Sequence, residues 1–336
     1  MNQFAKSTLI KTAVVAALFP LILTACNKKE GAAAPAATAS AAATGAEDAT
    51  CATVKFADIG WTDITATTAL SSTVLEGLGY KAKATIASVP IAFAGLKKGQ
   101  IDAFLGYWSP SMTPIVEPFT KDKSITVLDK PNLVGAKYTL AVPKYAYDAG
   151  LKSFADIGKF SKELDGKIYG IEPGNDGNKL IADMITKDAF GLKSFKMVES
   201  SEAGMLTEVS RSVKDKKWIV FLGWAPHPMN VQQDITYLSG GDDFFGPNYG
   251  EAKVYTVTSN DLAKRCPNVN KLVTNLEFNV GMENEVMLPI MDKKVPNEAA
   301  KAWLAKNPAV LDKWLAGVTT KDGQPGLDAV KKYIGV

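Results

Sequence analysis

The chain has 336 residues, 46 % hydrophobic and 22 % charged, enough apolar material for one large or two ordinary globular domains. Its 38 Lys and Arg against 35 Asp and Glu leave +3, too little for a general field that grips nucleic acid or an anionic membrane. One histidine, His227, and three cysteines, Cys26, Cys51 and Cys266, argue against a His-rich metal site, a zinc ribbon or a multi-His relay, so no metal and no cofactor are expected.

At the N-terminus, Lys6 and Lys11 precede an apolar run over residues 12–23, and Leu23-Thr24-Ala25 leads into Cys26. A basic start, about a dozen apolar residues and small residues before a cut site describe an export signal. The run is shorter than the ~20 residues of a membrane span. Small residues directly before a cysteine resemble the lipobox of bacterial lipoproteins. That implies removal of residues 1–25 and a diacylglycerol on Cys26; a plain signal peptide with an incidental cysteine is the alternative. Residues 26–50 read as a flexible leash, because from 31 onward they are almost all Ala, Thr, Ser, Gly and Pro with no periodic apolar face. The mature protein is nearly neutral, with 36 basic and 35 acidic residues. No later run reaches spanning length, so the body is expected outside the cytoplasmic membrane, periplasmic or otherwise extracytoplasmic, held to a membrane through lipid only.

Export bears on the other cysteines. In an oxidising compartment Cys51 and Cys266 most simply form one disulfide. Closing a loop of about 215 residues would stabilise by roughly 5 kcal/mol at most. Two buried reduced thiols are the alternative.

The body contains a repeat. A strand-like run, Val54-Lys55-Phe56-Ala57-Asp58-Ile59, is followed by Gly60-Trp61-Thr62-Asp63 and a helical pattern over residues 64–78. A second run, Lys167-Ile168-Tyr169-Gly170-Ile171, is followed by Pro173-Gly174-Asn175-Asp176-Gly177 and a helical pattern over residues 178–190. Each unit continues with a strand (80–86 or 195–199) and a helix (90–98 or 203–214). Each closes on a similar segment, Phe104-Leu105-Gly106-Tyr107-Trp108-Ser109-Pro110 or Phe221-Leu222-Gly223-Trp224-Ala225-Pro226. Strand–helix–strand–helix–strand, twice, predicts an α/β protein of two lobes with mainly parallel sheets. Ligands in such sheets settle beyond the carboxyl ends of the strands. Trp61, Trp108, Asn175 and Trp224 all fall there.

Six tryptophans are present. Trp303 and Trp314 lie in a helical segment, residues 299–318, broken at Asn307-Pro308, and read as packing residues. Trp218 opens a strand and reads the same way. Trp61, Trp108 and Trp224 each follow a Gly or Gly-Tyr at a strand end, where glycine permits a sharp turn. At equivalent points of a repeat, they suggest a shared ligand site. A quaternary ammonium suits such rings: it carries a full charge but no N–H donor, and each aromatic face contributes roughly 0.5–2 kcal/mol. Carbohydrate sites usually add many polar arms, and an amino-acid site wants an Arg for the carboxylate. Neither is evident near these tryptophans.

The segments Gly60-Trp61-Thr62-Asp63, Leu105-Gly106-Tyr107-Trp108-Ser109-Pro110, Tyr138, Pro173-Gly174-Asn175-Asp176-Gly177 and Gly223-Trp224-Ala225-Pro226 together resemble the periplasmic choline-binding proteins, which belong with the glycine betaine and proline betaine receptors of ABC importers. The resemblance runs from about Cys51 to the C-terminus, and the Cys51/Cys266 pair matches a disulfide of the choline receptors. It implies a type II periplasmic-binding-protein fold, with residues 51–132 plus 236–336 forming one lobe, residues 133–235 the other, and a ligand cleft between them. It implies an aromatic box of Trp61 and Trp108 from the first lobe and Tyr138 and Trp224 from the second. Asp63 and Asn175 would take the ligand's hydroxyl end. None of these six positions departs from the family pattern. The partners implied are choline or a related quaternary ammonium and a membrane permease, with the receptor itself a monomer.

Plainer readings stand beside these. Asp63 could be a helix N-cap, Asn175 a turn residue and Tyr138 an ordinary strand tyrosine. His227, between two prolines, reads as a loop residue. Asp242 and Asp243 fit a turn better than a calcium loop. An ionised Asp63 would repel the carboxylate of glycine betaine or carnitine, whereas choline's hydroxyl can donate to it, so choline is favoured over a betaine receptor of the same family. A quaternary-ammonium sensor would share the fold and the box. An esterase would need a nucleophile and a base in reach of one another, yet only one histidine exists and no Gly-x-Ser-x-Gly elbow occurs, so an enzyme is not expected.

Overall fold

The computed structural model describes residues 47–336. Cys26, the expected signal segment 1–25 and the leash up to residue 46 lie outside the described residues. The first unit of the repeat comprises β1 (Thr53–Asp58), α1 (Thr62–Gly77), β2 (Lys81–Ile86), α2 (Val89–Lys97) and β3 (Ala103–Ser109). Next come α3 (Thr113–Lys121), the long strand β4 (Ile125–Pro143) and two short helices, α4 (Lys144–Asp148) and α5 (Phe154–Ile157). The second unit is β5 (Lys167–Tyr169), α6 (Asp176–Thr186), β6 (Lys196–Val198), α7 (Glu202–Lys214) and β7 (Phe221–Ala225), followed by β8 (Ile235–Tyr237) and β9 (Glu251–Ser259). Helices make up most of the remainder to the C-terminus.

The two units have the same internal order. β1 lies between β2 and β3, parallel to both, and β5 lies between β6 and β7, parallel to both. Antiparallel strands join them, giving the sheet order β2-β1-β3-β9-β4-β7-β5-β6, with β8 on β4. β4 is 19 residues long; it pairs with β9 through Lys137 and with β7 from the same residue onward. The protein is thus two α/β lobes whose connection runs through β4 and β9.

α1 is buried on nearly every side, from Asp63 to Leu75. It packs against β1, β2 and β3 and against the helices Val280–Met291, Pro296–Lys306 and Gly326–Ile334, so the C-terminal helices finish the first lobe. Much of its buried surface is Thr and Ser, and three of these hydroxyls are satisfied within the helix: Thr67 donates to Asp63 O, Ser71 to Thr67 O and Thr73 to Ala69 O.

Boundaries differ from expectation at two informative places. α1 starts at Thr62, so Asp63 sits inside the first turn and the N-cap is Trp61, whose side chain makes no capping bond. The helix expected over residues 178–190 runs from Asp176 to Thr186, and Phe190 then adopts φ 57° in a tight turn. The glycines before the tryptophans also act differently from one another. Gly60 has φ 85° and makes the turn expected of it, whereas Gly106 and Gly223 lie inside strands. A Cβ on Gly106 would stand 2.5 Å from Ile64 Cδ1, and one on Gly223 2.8 Å from Ala141 Cβ. Close packing, rather than backbone freedom, calls for glycine there.

Of the tryptophans read as structural, Trp314 is fully buried edge-on to Phe278, Trp303 donates to Glu285 at 2.7 Å, and Trp218 packs on Phe160 with ring centroids 4.9 Å apart. Asp242 and Asp243 open a single helical turn, Asp242–Phe245, and Phe245 packs edge-on to Tyr138 at 5.9 Å. Among the described residues no helix is long and apolar enough to cross a membrane.

Cys51 and Cys266 are bonded, with Cα atoms 5.6 Å apart. Glu47, ahead of Cys51, also joins the body: its carboxylate accepts from the Tyr80 hydroxyl (2.6 Å) and from the amides of Asn268 and Val269. Replacing both cysteines by Ser is expected to lower the unfolding free energy by up to roughly 5 kcal/mol, read from urea denaturation, because the bridge closes a 215-residue separation.

Candidate functional site

Each wall of the site is set by a short piece of local chemistry at a strand end. After β1, the Asp58 carboxylate accepts from Gly60 N (2.8 Å) and from the Thr65 hydroxyl (2.9 and 3.1 Å). This closes the turn from β1 into α1 and aims Trp61 and Asp63 at the cleft. Trp108 is the penultimate residue of β3 and Trp224 that of β7. Tyr138 on β4 is the direct cross-strand partner of Trp224. Its hydroxyl donates to Asn175 Oδ1 at 3.3 Å and lies over the start of α6, where a Cβ on Gly177 would meet it at 2.0 Å.

Trp61, Asp63, Trp108, Tyr138, Ile171, Asp176 and Trp224 line one small cavity. The Trp108 and Tyr138 rings are 6.0 Å apart and tilted by 59°, and those of Tyr138 and Trp224 are 6.4 Å apart and nearly perpendicular at 78°. Each of the four rings is at most 9 % exposed. Five of the six ligand positions expected from sequence therefore come together. Asn175 stands behind them: it caps α6, accepting from Asn178 N (2.9 Å) while its amide donates to Glu172 O, and it does not line the cavity.

Two lining residues, Ile171 and Asp176, were not singled out from sequence. Asp176 was within reach of the repeat, since it occupies the first turn of α6 as Asp63 does that of α1, each after the first strand of its unit. Among the described residues, neither oxygen of Asp176, nor Oδ1 of Asp63, has a hydrogen-bond partner, and the same holds for Trp108 Nε1.

The electrostatics follow from burial. Desolvation pushes Asp176 up to about 6. Burial, with the charge of Glu202 and to a lesser degree Asp58, holds Asp63 well above the ordinary carboxylate range. Burial and the Asp63 charge do the same to Glu283. Tyr138 is raised well above its usual value by burial and then by Asp176 and Glu172. No lining residue is basic. Such a site can hold a small cation whose charge faces rings and carboxylates, and it offers nothing cationic to an anion.

The lobes also touch directly. Trp61 Nε1 donates to the Glu172 carboxylate, and Thr62 donates to Glu202 through its amide (2.9 Å) and its hydroxyl. His227 is in the turn after β7, as expected, but it is buried, with Nε2 3.2 Å from Glu202.

Two α/β lobes of this topology, with a cleft at the carboxyl ends of their strands, define the type II fold of the substrate-binding proteins that serve membrane importers from outside the cytoplasmic membrane. The chain belongs to the OpuAC family, described as the substrate binding domain of ABC-type glycine betaine transport systems, which matches residues 52–306. An ABC-transporter choline binding protein solved in complex with choline is 54 % identical, with TM-score 0.83, over 85 % of this chain and 99 % of that one. Lactococcal OpuAC, closed around glycine betaine, is 27 % identical with TM-score 0.71, over 79 % and 99 %. The glycine betaine/carnitine transport binding protein of Listeria monocytogenes is 31 % identical over 169 residues, half of this chain and 54 % of that protein.

Because native Asp176 titrates near 6 rather than 3.8, the folded state binds the extra proton between those values. Its contribution to stability therefore improves as pH falls from about 6 to 4, and the burden of its charge is complete above 6. Asp176→Asn is expected to be more stable than the parent at pH 7.5, by up to about 3 kcal/mol. Urea denaturation at pH 7.5 and pH 4 should show that difference disappearing at the lower pH.

Proposed function

We propose that this protein is the choline receptor of an ABC importer. The observation that carries the reading is the convergence of Trp61, Trp108, Tyr138 and Trp224 on one small cavity that also receives Asp63 and Asp176, both with oxygens lacking an in-chain donor. A trimethylammonium group offers no N–H, so its charge is balanced by ring faces and nearby carboxylates at longer range, each ring contributing roughly 0.5–2 kcal/mol. Choline's hydroxyl then has a carboxylate acceptor at Asp63. Asn175 acts behind this end of the site, through Tyr138.

Charge also supports choline over a betaine, and it acts through Asp176 as well as Asp63. Burial favours a protonated Asp63, and it is the arriving cation that makes two ionised carboxylates tolerable. A zwitterion brings its own carboxylate and leaves that repulsion unrelieved. The alternative, a glycine betaine receptor, is favoured by the family's description and by the fact that a protonated Asp63 could donate to a carboxylate.

In this reading residues 51–132 plus 236–336 and residues 133–235 are the two lobes, and they close on the ligand in a two-state transition driven by its preference for the closed form. A permease recognises the closed shape. The Cys26 lipid and the leash keep the receptor, a monomer, close to that permease. Nothing in the site calls for catalysis: its only histidine, His227, is engaged by Glu202 and by Met229 N.

Calorimetric titration of residues 47–336 with choline and with glycine betaine tests the reading. Micromolar or tighter choline binding with much weaker betaine binding is expected, and tight betaine binding with weak choline binding would overturn the choice of ligand. Asp63→Asn should narrow the gap between the two ligands; equal affinities before and after that change would remove Asp63 from the argument.

A further inference from the structure

The first amides of a helix have no partner within it and need an acceptor from elsewhere. α1 begins at Thr62, and the side chain of its N-cap, Trp61, makes no capping bond. The acceptor comes from the other lobe. Glu202, first residue of α7 and only 6 % exposed, takes Thr62 N on Oε2 at 2.9 Å and the Thr62 hydroxyl on Oε1. A carboxylate at this point also meets the positive end of the α1 dipole.

Glu202 is itself held in place. Met229 N donates to His227 Nδ1 at 3.0 Å, so the ring hydrogen is on Nε2, which points at Glu202 Oε1 from 3.2 Å. The same imidazole packs edge-on to Trp224, with centroids 4.9 Å apart. A continuous path therefore leads from one wall of the cavity, Trp224, through His227 and Glu202 to Thr62, next to the opposite wall, Trp61. None of His227, Glu202 or Thr62 lines the cavity.

We infer that Glu202 is a closure residue: oriented by His227, it caps α1 across the cleft and adds to the stability of the closed receptor without touching the ligand. The cap exists only while the lobes are together, so it acts on ligand retention and not on the folding of either lobe. This inference rests on the choline reading for its probe.

Stopped-flow tryptophan fluorescence on residues 47–336 with choline provides the test, using Thr62→Val, Glu202→Ala and the double variant. Thr62→Val removes one of the bonds and leaves every charge in place; it is expected to raise koff several-fold with kon nearly unchanged. Glu202→Ala should raise Kd about 10–100-fold, the range for loss of buried hydrogen bonds to a charged group. The double variant should be no worse than Glu202→Ala alone, and the melting temperature of ligand-free Thr62→Val should match the parent, whereas Glu202→Ala also unpairs the buried His227 Nε2 and is expected to melt lower. Unchanged koff in Thr62→Val, additive losses in the double variant, or a lowered ligand-free melting temperature of Thr62→Val would each overturn the inference. A parent protein that binds no choline at all would instead sink the ligand assignment on which the inference rests.

Discussion

Carboxylates gathered in a poorly solvated cleft are the constraint around which this molecule is arranged. Asp58, Asp63, Glu172, Asp176, Glu202 and Glu283 are all largely or wholly buried beside or behind one small cavity, and His227 is the one titratable base bonded to any of them. Burying uncompensated charge is expensive, so each group is either given donors or left to favour its protonated form. Asp58 receives Gly60 N and the Thr65 hydroxyl, Glu172 receives Trp61 Nε1, and Glu202 receives Thr62. Asp176 and one oxygen of Asp63 receive nothing from the chain. Asp58, Glu172 and Glu202, which have donors, build the walls; Asp63 and Asp176 face the cavity; and Glu283, which does not line it, is held toward its protonated form by burial and the Asp63 charge. That division separates scaffold from binding surface more sharply than residue type does.

The duplicated topology explains how so few residues make a complete enclosure. Each unit supplies a turn after its first strand and a tryptophan at the end of its third, and the antiparallel β4–β9 connection brings the two sets face to face. Tyr138 belongs to neither repeat. It comes from the connecting strand, opposite Trp224, and closes the gap between Trp108 and Trp224. Phe245 backs it edge-on, so the ring that bridges the lobes is held by packing on its far side.

These features were not equally legible. The α/β alternation and the tip tryptophans could be read because they repeat, and repetition marks positions that chance packing would not. Tyr138 has no local signal and entered only through family resemblance. Glu202, Glu172 and Glu283 were invisible: a glutamate in the first turn of a helix or in a polar loop looks like any solvated acid, and burial by the opposite lobe or by later helices is a long-range property. Asp63 also admits a reading as a cap, because Asp before an apolar helical run often is one, but the helix begins at Thr62, two residues before the expected start, and its carboxylate lines the cavity. Gly106 and Gly223 were noticed for the right positions and the wrong reason; Ile64 and Ala141 crowd them, which no reading of local turn chemistry reveals.

The position of the Cys51–Cys266 bridge has a mechanical consequence. The described chain enters the body at Glu47, is held there by Tyr80 and the amides of Asn268 and Val269, and is cross-linked at Cys51 before β1 begins at Thr53. A pull on the preceding segment is therefore passed sideways into the helix Pro267–Asn275 and the C-terminal layer. β1, whose end carries Trp61 and the start of α1, begins two residues beyond that junction. The wall of the site is thus built inward of the point where the described chain is cross-linked.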